Sequence, residues 1–235
     1  MKNKIVLLFS VWLLSNGWFQ DIQAQTAKVQ YILKVNNVAC SNFDLVKKHP
    51  EEVTSVEIEL RNGTQLPKEI FEFTGLKKLI IRDLEGEFLT GNFSVFTQLE
   101  ELEIEDCDDL LTLPESMGGM KALKSVLVLE NFSLVNIPES FYDLPQLQTL
   151  SFSIASDRIP ERIGNLTNLK ELAIEFHKKK NDNNVYLPEE IIQLTKLKSV
   201  ELSALGFPNK NAALTINNIV GSAQLRKFLQ PILHH

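Results

Sequence analysis

A six-residue unit, apolar-x-x-apolar-x-apolar, recurs seven times in this 235-residue chain, and its spacing constrains the fold more than any other feature. Its members are Val53-Val56-Ile58, Leu76-Leu79-Ile81, Leu99-Leu102-Ile104, Leu123-Val126-Val128, Leu147-Leu150-Phe152, Leu169-Leu172-Ile174 and Leu197-Val200-Leu202. The starts are 23, 23, 24, 24, 22 and 28 residues apart. A second unit keeps phase between them: Leu66-Pro67-x-x-Ile70, Leu113-Pro114-x-x-Met117, Ile137-Pro138-x-x-Phe141, Ile159-Pro160-x-x-Ile163 and Leu187-Pro188-x-x-Ile191. The second repeat lacks its proline and reads Phe88-Leu89-Thr90-Gly91-Asn92-Phe93.

Each half has a physical role. In the first unit the last two apolar residues alternate with polar ones, as on a short strand with one buried face. In the second, proline fixes φ near −65° and removes a donor, which suits the opening of a short helical or 3₁₀ return segment. Glu115, Glu139, Glu161 and Glu189 follow the prolines directly, where negative charge favours a helix N-terminus. One such coil cannot bury enough apolar surface to order its own backbone; stacked coils share a core and a hydrogen-bond ladder. The expected architecture is α/β: a right-handed solenoid with a parallel sheet on one face, capped at both ends.

These residues resemble the leucine-rich-repeat family, whose pattern runs L-x-x-L-x-L-x-x-N/C-x-L. The stretch Ile159-Pro160-Glu161-Arg162-Ile163-Gly164-Asn165-Leu166-Thr167-Asn168-Leu169 is similar to the Ras-group and plant-like subclass. The resemblance covers residues 53–205. It implies a curved solenoid whose concave strand face commonly binds proteins, and it is nearly silent on function, because the shared residues are structural. The N/C position holds Arg61, Leu84, Cys107, Asn131, Ala155, His177 and Leu205, so the ladder of buried amides is mostly missing. Irregular turns and a shallower curve are the expectation.

The chain opens with Lys2 and Lys4, an apolar run from Ile5 to Leu14 and a polar stretch ending Ile22-Gln23-Ala24-Gln25. That is the layout of a secretory signal peptide, too short to span a bilayer. Residues 1–24 are therefore expected to be removed, and the mature protein to be secreted, periplasmic or held at the cell surface. The first cysteine is Cys40, so no lipid anchor is expected, and no later segment is long and apolar enough to be integral to a membrane. Removing the leader takes net charge from −6 to −7, which argues against nucleic acid as a partner. Residues 25–52, with strand character over Val29–Val35 and a short helix from Phe43 to about His49-Pro50, read as an N-terminal cap. Residues 206–235, with mixed helical spacing interrupted at Pro231, read as the C-terminal cap.

Cys107 occupies the N/C position, where a small buried side chain is the favoured reading; a disulfide to Cys40 stays open. No cofactor, phosphate-loop, hydrolase or zinc-protease fingerprint appears, and His49, His177, His234 and His235 have no metal-ligand spacing. Sequons occur at Asn62, Asn92, Asn131 and Asn165. The sixth repeat carries an extra polar stretch, Lys178–Asn184, which reads as a solvated insertion or a contact loop for an acidic partner.

Register places on the concave face Glu57 and Glu59, Ile80 and Arg82, Glu103 and Glu105, Leu127 and Leu129, Ser151 and Ser153, Ala173 and Glu175, Glu201 and Ser203. Lys78, Glu101, Ser125, Thr149 and Glu171 add one further position each. The face is acidic, with Leu127 and Leu129 beside Glu103 and Glu105. The candidate partner-binding residues are Ile80, Arg82, Glu103, Glu105, Leu127, Leu129, Ser151 and Ser153, expected to meet basic and apolar groups. The reading is a non-catalytic exported module that binds a protein, or a glycan, on a rigid surface. Alternatives are a self-associating envelope protein and, from another class, a hydrolase using Glu103 and Glu105. Oligomeric state is left open.

Overall fold

The computed structural model describes residues 31–44, 47–63, 65–177, 184–205, 212–213 and 219–234. The leader, most of the insertion after His177 and much of the stretch between Leu205 and Ile219 lie outside the described residues, as do Leu45 and Val46 of the expected short helix.

Seven parallel strands, one per repeat, form the body of the sheet: β3 (Ser55–Gly63), β4 (Lys78–Leu84), β5 (Glu101–Glu105), β6 (Ser125–Leu129), β7 (Thr149–Ile154), β8 (Glu171–His177) and β10 (Ser199–Leu205). Pairing is in register with the sequence repeat. Leu79 stands opposite Leu102, Leu102 opposite Val126, Val126 opposite Leu150, Leu150 opposite Leu172 and Leu172 opposite Val200. A slip of one residue would send every one of these side chains to solvent, so the apolar pattern fixes the pairing. All seven triplets of the first unit are buried and belong to one continuous core.

The return segments resolve to 3₁₀ turns: Lys68–Glu72, Glu115–Gly119, Glu139–Asp143, Glu161–Asn165 and Glu189–Gln193. The proline stands at the cap, just before each turn, with φ between −56° and −73°, and the glutamate opens the turn wherever the sequence supplies one there. The repeat without proline makes the same turn at Phe93–Val95. There Asn92 caps instead, its side chain accepting from the Ser94 N–H at 3.2 Å. Just before it Gly91 has φ +119°, and a Cβ at that position would lie 2.1 Å from the Phe71 ring. Only glycine fits there.

The turns leaving the strands are more regular than the sequence suggests. Asp83, Asp106 and Glu130, each directly before the N/C position, adopt left-handed φ of 55°, 55° and 54°. Three consecutive coils thus share one turn although their N/C residues are Leu84, Cys107 and Asn131. The backbone conformation, rather than a repeated amide, sets the bend. The amide is used once: Asn131, fully buried, donates to Ile104 O (3.1 Å) and Leu129 O (2.6 Å) and accepts from the Cys107 N–H (3.1 Å).

At the first coil, β1 (Tyr31–Val35) pairs antiparallel with β3, placing Leu33 and Val35 on the core. It turns back through Asn36 and Asn37 (φ 48° and 65°) into β2 (Val38–Cys40). Successive left-handed residues are what a two-residue hairpin requires, and asparagine tolerates them. At the other end β11 (Ala212–Ala213) pairs antiparallel with β10, and β13 (Leu233–His234) pairs parallel with it. Between them, β12 (Ile219–Val220) pairs with β9 (Val185–Tyr186). Helix α1 (Ala223–Leu229), capped by Ser222, then buries Leu225 and Leu229 and stops before Pro231. Among the described residues no helix is long and apolar enough to cross a membrane.

Both cysteines are free. Cys40 sits on β2 and Cys107 follows β5, four strand spacings away, about 19 Å. A disulfide needs Cα atoms within about 7 Å, so the two cannot bridge within one chain. Cys107 is buried, its thiol lies 3.2 Å from Glu105 O, and burial pushes its pKa up to about 12.

Candidate functional site

The sheet's open face carries three rows of side chains running across the strands, because in-register pairing stacks equivalent positions at about 4.8 Å intervals. The first row is Ser55, Lys78, Glu101, Ser125, Thr149, Glu171, Ser199; the second is Glu57, Ile80, Glu103, Leu127, Ser151, Ala173, Glu201; the third is Glu59, Arg82, Glu105, Leu129, Ser153, Glu175, Ser203.

The N-terminal half of this face is electrostatically closed. Arg82 donates from Nη1 to Glu57 (2.5 Å) and from Nε to Glu105 (2.7 Å), bridging strands on both sides of its own. Lys78 reaches Glu103 (2.7 Å) and Glu101 (3.1 Å), and Lys34 reaches Glu57 (2.8 Å). The Lys34 hydrogen bond, aided by Arg82, holds the Glu57 carboxyl below its ordinary range; the hydrogen bond to Glu103 raises Lys78. Ile80 lies beneath this lattice at 9 % exposure, so it is not the outward apolar contact its register suggested. The ion pairs above it, between residues 23 to 25 apart in sequence, cover it. Glu103 and Glu105 face a cation each rather than each other.

The C-terminal half is open. Small residues at Ser151, Ala173 and Ser203, beside the larger Leu129, Glu175 and Glu201, leave a hollow of about 510 Å³. Glu171 and Glu175 flank Ala173 along β8, and Glu201 is its partner on β10. Three carboxylates therefore surround one methyl group, and among the described residues no lysine or arginine lines the hollow. Glu171 accepts from Thr149 Oγ1 (3.3 Å); Glu175 accepts from Ser153 Oγ (3.0 Å) and meets His177 Nε2 at 3.2 Å. The His177 ring packs edge-on against Phe132 with centroids 4.7 Å apart. Ser153 is 1 % exposed, used up in holding Glu175, while Leu127, Leu129 and Ser151 keep part of their surface in solvent. At the rim, the like-charged Asp106 carboxylate beside Glu130, to which a protonated Glu130 can donate, raises the Glu130 pKa.

Of the eight residues expected at the site, the structure gathers Leu129, Ser151 and Ser153 at the hollow, leaves Leu127 beside it on β6, ties up Arg82, Glu103 and Glu105, and buries Ile80. Sequence reasoning placed Ala173, Glu175, Glu201 and Ser203 on the face but left them outside the site. The signal for including them was the run of small residues in adjacent repeats. At the far end of the chain His49, Glu51 and Glu52 bring ligand atoms within 4.8 Å of one another. All three are exposed on a surface turn.

No family model matches the chain. Among curated proteins it is similar to the TMV resistance protein N of Nicotiana glutinosa, 24% identical over 195 residues, covering 68% of this chain and 17% of that protein. Among solved structures it is similar to the leucine-rich-repeat domain of the type III effector XopL (17% identity, 84% of this chain and 85% of that one, TM-score 0.50). A leucine-rich-repeat protein of Leptospira interrogans gives 20% identity over 75% of this chain and 46% of that one, with TM-score 0.48. The fold is thus the leucine-rich-repeat solenoid. The chain spans less than a fifth of the curated relative's length.

Proposed function

We propose that this chain is a non-catalytic binding module that grips a protein partner with the C-terminal half of its concave sheet, over Leu129, Ser151, Ala173, Glu175, Glu201 and Ser203. The partner segment is cationic. The observation that carries this reading is the division of the acidic face. Where Arg82 and Lys78 are present, the molecule neutralises its own carboxylates; around Ala173 no lysine or arginine among the described residues lines the hollow, and a partner's lysine or arginine would take the place Arg82 holds at the other end. Leu129 offers a wall for the aliphatic stem of such a side chain. A sheet of paired strands is already ordered, so little entropy is lost on association. We also infer export, through cleavage after Ala24, with residues 25–52 and 206–235 closing the ends of the repeat array.

The test is selection of a displayed random-peptide library on the purified protein. Selected peptides should be enriched in lysine or arginine beside apolar residues. Glu175→Lys with Glu201→Lys should weaken them at least tenfold, while the same reversal at Glu101, in the closed half, should change affinity little. Peptides without cationic enrichment, or binding that survives the double reversal, would overturn the reading. Export is checked separately by the N-terminal sequence of the protein recovered from an exporting host, expected to begin at Gln25.

A further inference from the structure

Glu175 lines the concave hollow, whereas His177, two residues further along β8, stays outside it. The His177 Nε2 lies 3.2 Å from the Glu175 carboxylate, with 12 % of the histidine side chain exposed against 30 % for the glutamate. Phe132 packs on the imidazole, and Ser153 reaches the carboxylate from β7. Both bonds fall on one oxygen, Oε2, so the other is not spent on them. A carboxylate only accepts, so Nε2 carries a hydrogen in either charge state of the ring, and the proton taken up in acid goes to Nδ1. The contact therefore survives titration, while the charge beside Glu175 changes from zero to plus one.

Histidine is the side chain that ordinarily changes charge between about pH 5 and 8. The elements packed around the pair bring the following groups to it. On β7 the neighbours are Ser153 and Ile154; on β10, Ser203 stands opposite Glu175 and Leu205 opposite His177. From the turn after β6, the Glu130 carboxylate feels the charge of Glu175, with Asp106 beside it. At the far side of β10, β13 sets His234 next to Glu201 in the ladder. Lys178 follows His177 along the chain and lies outside the described residues.

We propose that His177 makes the concave face pH-sensitive: protonated in mild acid, it cancels the charge of Glu175 and weakens the hold on a cationic partner segment. The inference rests on the reading of the hollow as a site for lysine or arginine. Above the histidine range the ring is neutral, and Glu171, Glu175 and Glu201 present three negative charges around Ala173. Below it, an imidazolium 3.2 Å from Glu175 does for that carboxylate what Arg82 does for Glu57 and Glu105 in the closed half. Ring and incoming cation compete for one carboxylate, so each weakens the other.

The probe is a capped hexapeptide alternating leucine with lysine or arginine, which has no group of its own titrating between about pH 5.5 and 7.5. Its affinity for the full chain is measured by calorimetry at both ends of that range and at constant ionic strength. Expected is an affinity about two- to fivefold weaker in acid, the worth of one partly exposed ion pair. His177→Gln can still donate to Glu175 but takes up no charge, so its two affinities should be equal. Glu130→Gln and His234→Gln should keep the parent's ratio; circular dichroism confirms that each variant is folded. In the unaltered protein, saturating peptide should lower the pH at which the His177 ring signals titrate by NMR. Binding that weakens equally in His177→Gln, or a His177 titration indifferent to peptide, would overturn the proposal. Binding of equal strength at both pH values would overturn it and leave the reading of the face standing; absence of binding at either would overturn both.

Discussion

Replacing Asn131 by alanine tests how neighbouring coils are tied together. Its amide makes three bonds: to Ile104 O, to Leu129 O and from the Cys107 N–H. Leu129 O keeps a second partner, the Asp106 N–H at 3.3 Å. Ile104 O likewise keeps its place in the β5–β6 ladder at the Glu105–Leu129 pair, so the group placed at risk is the Cys107 N–H, whose bond to Asn131 is buried. At about 1–3 kcal/mol for a buried group left unsatisfied, Asn131→Ala should lower unfolding free energy by about 1–3 kcal/mol. Urea unfolding followed by circular dichroism at 222 nm measures this. Because a solenoid's stability is close to a sum of coil and interface contributions, the weakened link between the third and fourth coils should also broaden the transition or split it. Asn131→Asp supplies an internal control: the carboxylate can accept from Cys107 but cannot donate, so its deficit should shrink as acid returns a proton to it. A loss below about 0.5 kcal/mol in the alanine variant, the range of ordinary surface substitutions, would refute the reasoning.

Three further outcomes follow from the same structure. Gly91→Ala should cost at least about 2 kcal/mol, from left-handed strain and displacement of the Phe71 ring, read as a fall in urea midpoint; an unchanged midpoint would remove the argument for glycine there. In native protein a thiol reagent should label Cys40 and spare Cys107, which should react only on unfolding; fast labelling of both would show Cys107 accessible. The pH dependence has two signs. Glu57 is lowered in the fold, so its contribution is present above the ordinary value of 4.5 and is lost as pH falls through the lowered one; Glu130 is raised, so its contribution is present below 4.5 and is lost as pH rises through the raised one. Glu57→Gln should therefore flatten the acid limb of the stability curve, and Glu130→Gln the limb just above 4.5; curves superimposable on the parent would exclude these two carboxylates as determinants.

The sequence alone determined the coil, its length, its number and its strand register. These depend on which residues are apolar and how far apart they stand, and a pleated strand offers no other pairing that buries Leu102, Val126 and Leu150 together. The 3₁₀ turns were equally legible, since proline and the residue after it act locally. The Asn36-Asn37 hairpin was present in the sequence but passed unread. What tertiary structure decided was which carboxylates are occupied. Arg82 chooses Glu57 and Glu105 because coils 23 to 25 residues apart bring them within a bond length of its guanidinium, and no pattern along the chain distinguishes these glutamates from Glu171, Glu175 and Glu201. The burial of Ile80 and the engagement of Ser153 have the same origin. Periodicity assigns a side chain to a face, but its freedom there depends on the length and charge of its neighbours on the adjacent strands, which only the assembled stack brings together.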